Sequence, residues 1–95
     1  MKSHNIFTFS AVITKETEGY SGLCIDVDVA SEGGSIEETK GNLIEAVNLY
    51  VETAIENNLP VLRPVPPAEN PILTRPADVS ETFTVKVDLR IKVYA

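Results

Sequence analysis

The chain has 95 residues, 43% of them apolar, and a chain of this length folds as one small domain rather than two. Its net charge of −6 argues against nonspecific nucleic-acid binding, because few basic side chains are available to displace counterions from phosphates. No apolar run approaches a membrane span, no signal-sequence pattern opens the chain, and the single Cys24 has no disulfide partner, so we expect a cytoplasmic protein.

The acidic side chains are concentrated in the middle of the chain. Residues 15–57 carry ten acidic and two basic side chains, whereas residues 58–95 carry four acidic and five basic ones. An acidic surface of this kind favours a basic partner. The alternative interpretation is that the charge only keeps a small protein soluble.

The first part of the chain predicts antiparallel strands. Residues 6–14 alternate apolar and polar side chains, which is typical of a half-buried strand. The alternation resumes over residues 20–29 after a polar break that ends at Gly19, and a short third strand is predicted across residues 29–32. Asp26 and Asp28 would then project from one side of the second strand.

A helix is predicted from residue 36 to about residue 57. Ser35 is a suitable N-cap, and Glu38 three residues later completes a capping box. Apolar residues then recur every three or four positions, which gives the helix one core-facing side. The interior Gly41 lies away from that side and has no explanation in the sequence.

The second half of the chain predicts a connector and a final strand. All six prolines fall between residues 60 and 76, so residues 58–82 are predicted to be an extended connector on the surface. The spacing of Pro64 and Pro67 leaves open a proline-rich ligand for a partner. Residues 83–94 alternate without a break, as a long strand does.

The long final strand has more apolar positions than one helix covers easily. We therefore predict that the apolar residues left uncovered by the helix form the interface of a homodimer or homotetramer. These residues are Val87, Leu89, Ile91 and Val93. The alternative is a strongly bent strand that is satisfied within one chain.

The sequence offers little chemistry for catalysis. His4 is the single histidine, and Cys24 has no nearby base, while Asp26 would raise rather than lower the pKa of its thiol. Asp26 and Asp28 could hold a cation only with a third ligand, and their position on a solvent-facing side is the preferred interpretation. Residues 32–35 lack the phosphate-binding glycine patterns. We therefore expect no catalytic residue, metal or cofactor, and a protein that is not an enzyme.

Residues 19–52 contain a motif that runs from the third predicted strand into the helix. It consists of Ser31, Gly33, Ser35, Glu38, Asn42, Leu43, Glu45 and Ala46. These residues match the pattern Ser-x-Gly-x-[ST]-x-x-Glu-Ala followed by Asn-Leu-x-Glu-Ala, and with it the segment resembles the HicB-like antitoxin family. Thr39 replaces the usual alanine and Gly34 the usual acid. The resemblance implies an α+β fold of order β-β-β-α-β, similar to a truncated ribonuclease H fold. This order agrees with the segments predicted from periodicity: a mostly antiparallel sheet with one helix on one face.

The resemblance also implies a function. HicB-like antitoxins bind and mask a small basic HicA-type toxin that cleaves RNA. Many members add a C-terminal DNA-binding module, but residues 58–95 show no basic helical pattern, so we expect no direct DNA binding. Asp26, Asp28 and Glu32 are the predicted partner-binding residues. The alternative function is an orphan member that acts as a homo-oligomeric scaffold or small-ligand-binding module.

Overall fold

A computed structural model describes the backbone of residues 3–91 and the side-chain surroundings of residues 6–88. It forms a four-stranded antiparallel sheet of order β3-β2-β1-β4, with one long helix on one face. The predicted α+β class is confirmed. The elements are β1 (Ser3–Lys15), β2 (Tyr20–Cys24), β3 (Val29–Gly33), α1 (Ile36–Glu56), α2 (Pro71–Thr74) and β4 (Val79–Ile91).

The main core lies between α1 and one face of the sheet. Phe9 and Ala11 of β1 pack with Val85 of β4 against Leu43 and Val47 of α1, and all five are buried. The alternation of β1 and the periodicity of α1 predict this arrangement, because each presents one apolar side. No helix in the described part of the chain is long and apolar enough to cross a membrane.

The helix begins where the capping pattern predicts. Ser35 has an extended backbone, and its hydroxyl accepts a hydrogen bond from the Glu38 N–H at 3.1 Å. The Glu38 carboxylate accepts in return from the Gly34 N–H at 3.2 Å, one residue before the position of a standard capping box. The first of these interactions satisfies one of the N–H donors that a helix start leaves free. The predicted helix 36–57 is confirmed to within one residue.

The predicted strand 20–29 is wrong beyond Cys24. β2 ends there, and residues 25–28 form a turn in which Asp28 has a positive φ of 53°. The Asp26 carboxylate accepts from the Ser10 N–H at 2.6 Å, and the Ser10 carbonyl accepts from the Ile25 N–H. The Asp26 side chain thus takes a backbone donor that a longer strand would use for its ladder, so the chain turns back and starts β3 at Val29.

The proline-rich segment is more than an extended surface connector. It contains α2 and two short 3-10 turns, each beginning with a proline, and it buries Val65 and Pro71. Val12 is completely buried on the sheet face opposite α1, and α2 contacts β1. This segment therefore contributes a second covering layer.

The final strand starts four residues earlier than predicted. β4 pairs with β1 from Val79 opposite Thr14 to Ile91 opposite Ser3, with one irregularity near Ile13. The early start arises because β1 itself is 13 residues long and provides a full-length partner. As β4 has one neighbour in the sheet, its other edge is open over the described residues.

Candidate partner-binding surface

The turn between β2 and β3 holds the first two predicted partner-binding residues. Asp26 is half-buried and engaged with the Ser10 N–H, whereas Asp28 is exposed. The turn therefore places the two residues differently, and they do not project side by side from a strand. Asp26 and Asp28 therefore lack the parallel orientation on one strand face that joint binding of a cation would need. Asp28 remains available to a partner, while Asp26 holds the turn together.

Glu32, the third predicted residue, lies at the other end of β3. It is four positions after Asp28, which corresponds to about 13 Å along an extended strand. Its carbonyl accepts a hydrogen bond from the Asn42 side chain at 2.9 Å, so α1 holds this end of β3. The three predicted residues therefore do not form one cluster.

Glu32 instead belongs to an acidic cleft at the hairpin end of the sheet. This cleft has a volume of about 620 Å³ and is lined by the four carboxylates of Glu16, Glu18, Glu32 and Glu38, together with Tyr20 and Gly33. The register explains the convergence: Tyr20 pairs with Gly33, so the turn 16–19 and the start of α1 meet at one edge. Glu16, Glu18 and Glu38 were not predicted as site residues.

Basic side chains offset part of this negative charge. The Arg75 guanidinium lies 3.4 Å from each carboxylate oxygen of Glu16 and lowers the pKa of that carboxyl. The Lys15 ammonium lies 4.4 Å from the centre of the Tyr20 ring, a cation–π contact. Glu18 and Glu32 form no ion pair among the described residues. The cleft therefore retains negative charge that a basic side chain can meet.

The structure also locates the residues considered for chemistry. Cys24 is buried, and burial together with Asp26 raises the pKa of its thiol to about 11, so a reactive thiolate is disfavoured. Among the described residues, no three His, Cys, Asp or Glu side chains lie close enough together to hold a metal ion. The His4 side chain lies outside the described residues.

The predicted oligomer interface falls into two parts. Val87 is completely buried in the core that its own chain forms, so no second subunit is needed to cover it. Leu89 and Ile91 pair along the backbone with Asn5 and Ser3, although their side chains are not described. Val93 lies outside the described residues. For Leu89, Ile91 and Val93 the interface stays a prediction.

Comparison with known proteins supports the fold. The sequence matches no protein-family profile, and it matches no curated protein sequence. Among solved structures, the chain is similar to one from a structure titled "HicA3 and HicB3 toxin-antitoxin complex". The identity is 21%, the TM-score is 0.55, and the match covers 85% of this chain and 95% of that one. At this identity, the likeness establishes a shared fold.

Proposed function

We propose that the chain is a cytoplasmic, HicB-like antitoxin-type binding protein, which neutralises a small basic HicA-type RNA-cleaving toxin by masking it. The observation that carries the proposal is the fold shared with a chain from a HicA3–HicB3 complex over most of both chains. Binding rather than catalysis is the proposed role.

The motif geometry supports the same proposal. Two of the residues that match the HicB-like pattern hold β3 and α1 together: Ser35 caps the helix, and the Asn42 side chain donates to the Glu32 carbonyl. These two matched positions therefore have structural roles at one junction of the fold. This makes the resemblance more specific than a similarity of composition.

The electrostatics supply the means of recognition. Glu18 and Glu32 leave negative charge in the acidic cleft, and a protein that binds RNA presents a basic surface. A partner covered by this cleft would bring lysine or arginine side chains to the carboxylates. Such attraction accelerates association and is screened by salt.

The test is binding and inhibition of a HicA-type toxin encoded beside this chain's gene. We expect the two proteins to co-purify, RNA cleavage by the toxin to stop near an equimolar ratio, and the Kd to increase with salt. Glu18→Lys and Glu32→Lys should weaken the complex by about tenfold or more, because each replaces an attraction by a repulsion. Glu69→Lys makes the same charge change at an exposed site outside the cleft and is the matched control. Absence of any complex at low salt would refute the proposal.

A second candidate function rests on the open edge of β4. Among residues 3–91, this 13-residue strand has a neighbour on one side only, and an edge of that length favours pairing with another copy. The chain would then be an orphan member that acts as a homo-oligomeric scaffold or small-ligand binder. Light scattering that gives a dimer or tetramer, together with no toxin binding, would favour this alternative.

A further inference from the structure

An apolar groove lies beside the C-terminal half of α1, away from the acidic cleft. Its volume is about 820 Å³, and its walls are α1, the segment 59–63 and the residues Asp28 and Val29. Leu49 projects from the helix wall, while Leu59 and Leu62 project from the opposite wall. They are 65%, 58% and 64% exposed. Three such leucines around one groove form an apolar patch of the kind that marks an interaction site.

The second wall of the groove is held in place by hydrogen bonds. The Tyr50 hydroxyl donates to the Val61 carbonyl at 3.0 Å, which ties the segment to α1. The Arg63 N–H donates to the Asp26 carbonyl and the Val65 N–H to the Ile25 carbonyl, each at 2.9 Å. The segment is thus fixed to both the helix and the turn 25–28. The groove is therefore formed before any partner binds, which lowers the cost of binding.

A row of negative charge borders the helix wall. Glu45 and Glu52 lie four residues before and three residues after Leu49, so both are its neighbours on the helix surface. Glu56 continues the row one turn later. All three are exposed, and none forms an ion pair within the described part of the chain. The groove therefore combines an apolar centre with an acidic border on the helix side, and Arg63 is the basic residue among those that line it.

The charge argues against a second copy of the chain as the occupant. If two copies met at this groove through a two-fold axis, the acidic row on α1 of one copy would face the same row on the other copy. Each chain also carries a net charge of −6. Like charges brought together in this way oppose association. The acidic border instead complements lysine or arginine side chains.

The wall formed by the segment 59–63 offers no edge to an added strand. Pro60 has no N–H group, and the N–H groups of Arg63 and Val65 are already donated within the chain. Strand addition needs a free row of backbone donors and acceptors. A helix needs none, because its backbone groups are satisfied internally. Glu56 lies 11 positions after Glu45, or about 17 Å along the helix, which matches about three turns of a facing helix.

We infer that this groove binds a basic amphipathic helix of the partner protein, with leucine-sized side chains inserted between Leu49 and Leu62 and lysine or arginine side chains against Glu45, Glu52 and Glu56. The identification of that partner as the toxin rests on the proposed function. The groove is a second contact, distinct from the acidic cleft.

The first test uses the toxin encoded beside this gene and three matched variants. Leu49→Glu and Leu62→Glu place a charge in the groove, while Leu73→Glu places the same charge at a leucine that is 63% exposed on α2, outside the groove. We expect the groove variants to raise the Kd by at least about tenfold and Leu73→Glu to leave it unchanged. All three positions are exposed, so circular dichroism should show an intact fold in each case.

The second test uses a synthetic probe. A peptide of about 14 residues, with leucines on one face of a helix and lysines elsewhere, is titrated into the labelled protein and followed by NMR. We expect amide shifts at Ala46, Tyr50 and Thr53, which line the groove, and their loss in Leu49→Glu. Peptides with the same composition in a strictly alternating order, or with glutamate in place of lysine, should not bind.

The outcomes separate the two proposals. Toxin binding that is equal in all variants, with peptide shifts absent or confined to the acidic cleft, overturns the groove and leaves the proposed function intact. Peptide binding in the groove without any toxin binding supports the groove and refutes the proposed function. Failure of both the toxin and the peptide to bind overturns both.

Discussion

Replacement of Gly33 by alanine is the sharpest test of how α1 sits on the sheet. An alanine Cβ at this position would lie 2.7 Å from Thr39 Oγ1, 2.8 Å from Thr39 N and 3.1 Å from Thr39 Cα. Thr39 is completely buried, and its hydroxyl donates to the Ser35 carbonyl at 2.7 Å. Two of the three close atoms belong to the helix backbone, so no rotamer change relieves the contact.

The magnitude follows from what must move. The first turn of α1 has to lift from β3 by several tenths of an ångström, which loosens the packing below it. Overpacking of this kind costs about 1–3 kcal/mol, and contact with backbone favours the upper half of that range. A domain of this size is stable by about 5–14 kcal/mol, so the loss is a large part of the total. It corresponds to a fall in Tm of about 10–20 °C.

The assay is urea unfolding followed by circular dichroism, with Gly34→Ala as the control. A Cβ at Gly34 meets nothing within 4 Å, and neither glycine has a positive φ. We expect Gly34→Ala to leave the free energy of unfolding within about 0.5 kcal/mol of its original value, with any change towards higher stability. If Gly33→Ala were as stable as Gly34→Ala, the close approach of α1 to β3 would be refuted.

Three further predictions follow from local contacts. Gly41→Ala should raise the free energy of unfolding by about 0.5–1 kcal/mol, because Gly41 is exposed inside α1 with open space around it; a decrease in urea unfolding would contradict this. Tyr50→Phe removes the bond to the Val61 carbonyl and should cost about 0.5–1.5 kcal/mol. It should also speed amide hydrogen exchange at Arg63 and Val65, and unchanged exchange would show that Tyr50 does not hold this segment. The Cys24 thiol has its pKa raised from 9.0 to about 11 in the folded chain, so the unfolded chain ionises first as the pH rises. The stability that depends on the neutral thiol is complete below pH 9 and is lost towards pH 11, by up to about 3 kcal/mol. Cys24→Ala should remove this component from the pH profile, and identical profiles for the two proteins would refute it.

Local patterns in the sequence were enough to predict β1, α1 and its cap. Both patterns, the alternation at residues 6–14 and the helical spacing after Ser35, involve residues only a few positions apart. They can therefore be identified directly in the sequence. The same reasoning failed at residues 25–28. There the apolar alternation continues, but Asp26 binds the Ser10 N–H, a contact across 16 positions that no local pattern reports.

The partner-binding surface shows the same division more strongly. The sequence itself shows that acidic residues outnumber basic ones between residues 15 and 57. This excess of negative charge does not depend on the fold. Tertiary structure decided which carboxylates meet: Glu16, Glu18, Glu32 and Glu38 converge because Tyr20 pairs with Gly33. The groove beside α1 likewise exists because residues 59–65 fold back onto the turn 25–28. Strand register and chain reversal are set by contacts between residues far apart in sequence. The acidic cleft and the groove could therefore be identified only from the tertiary structure.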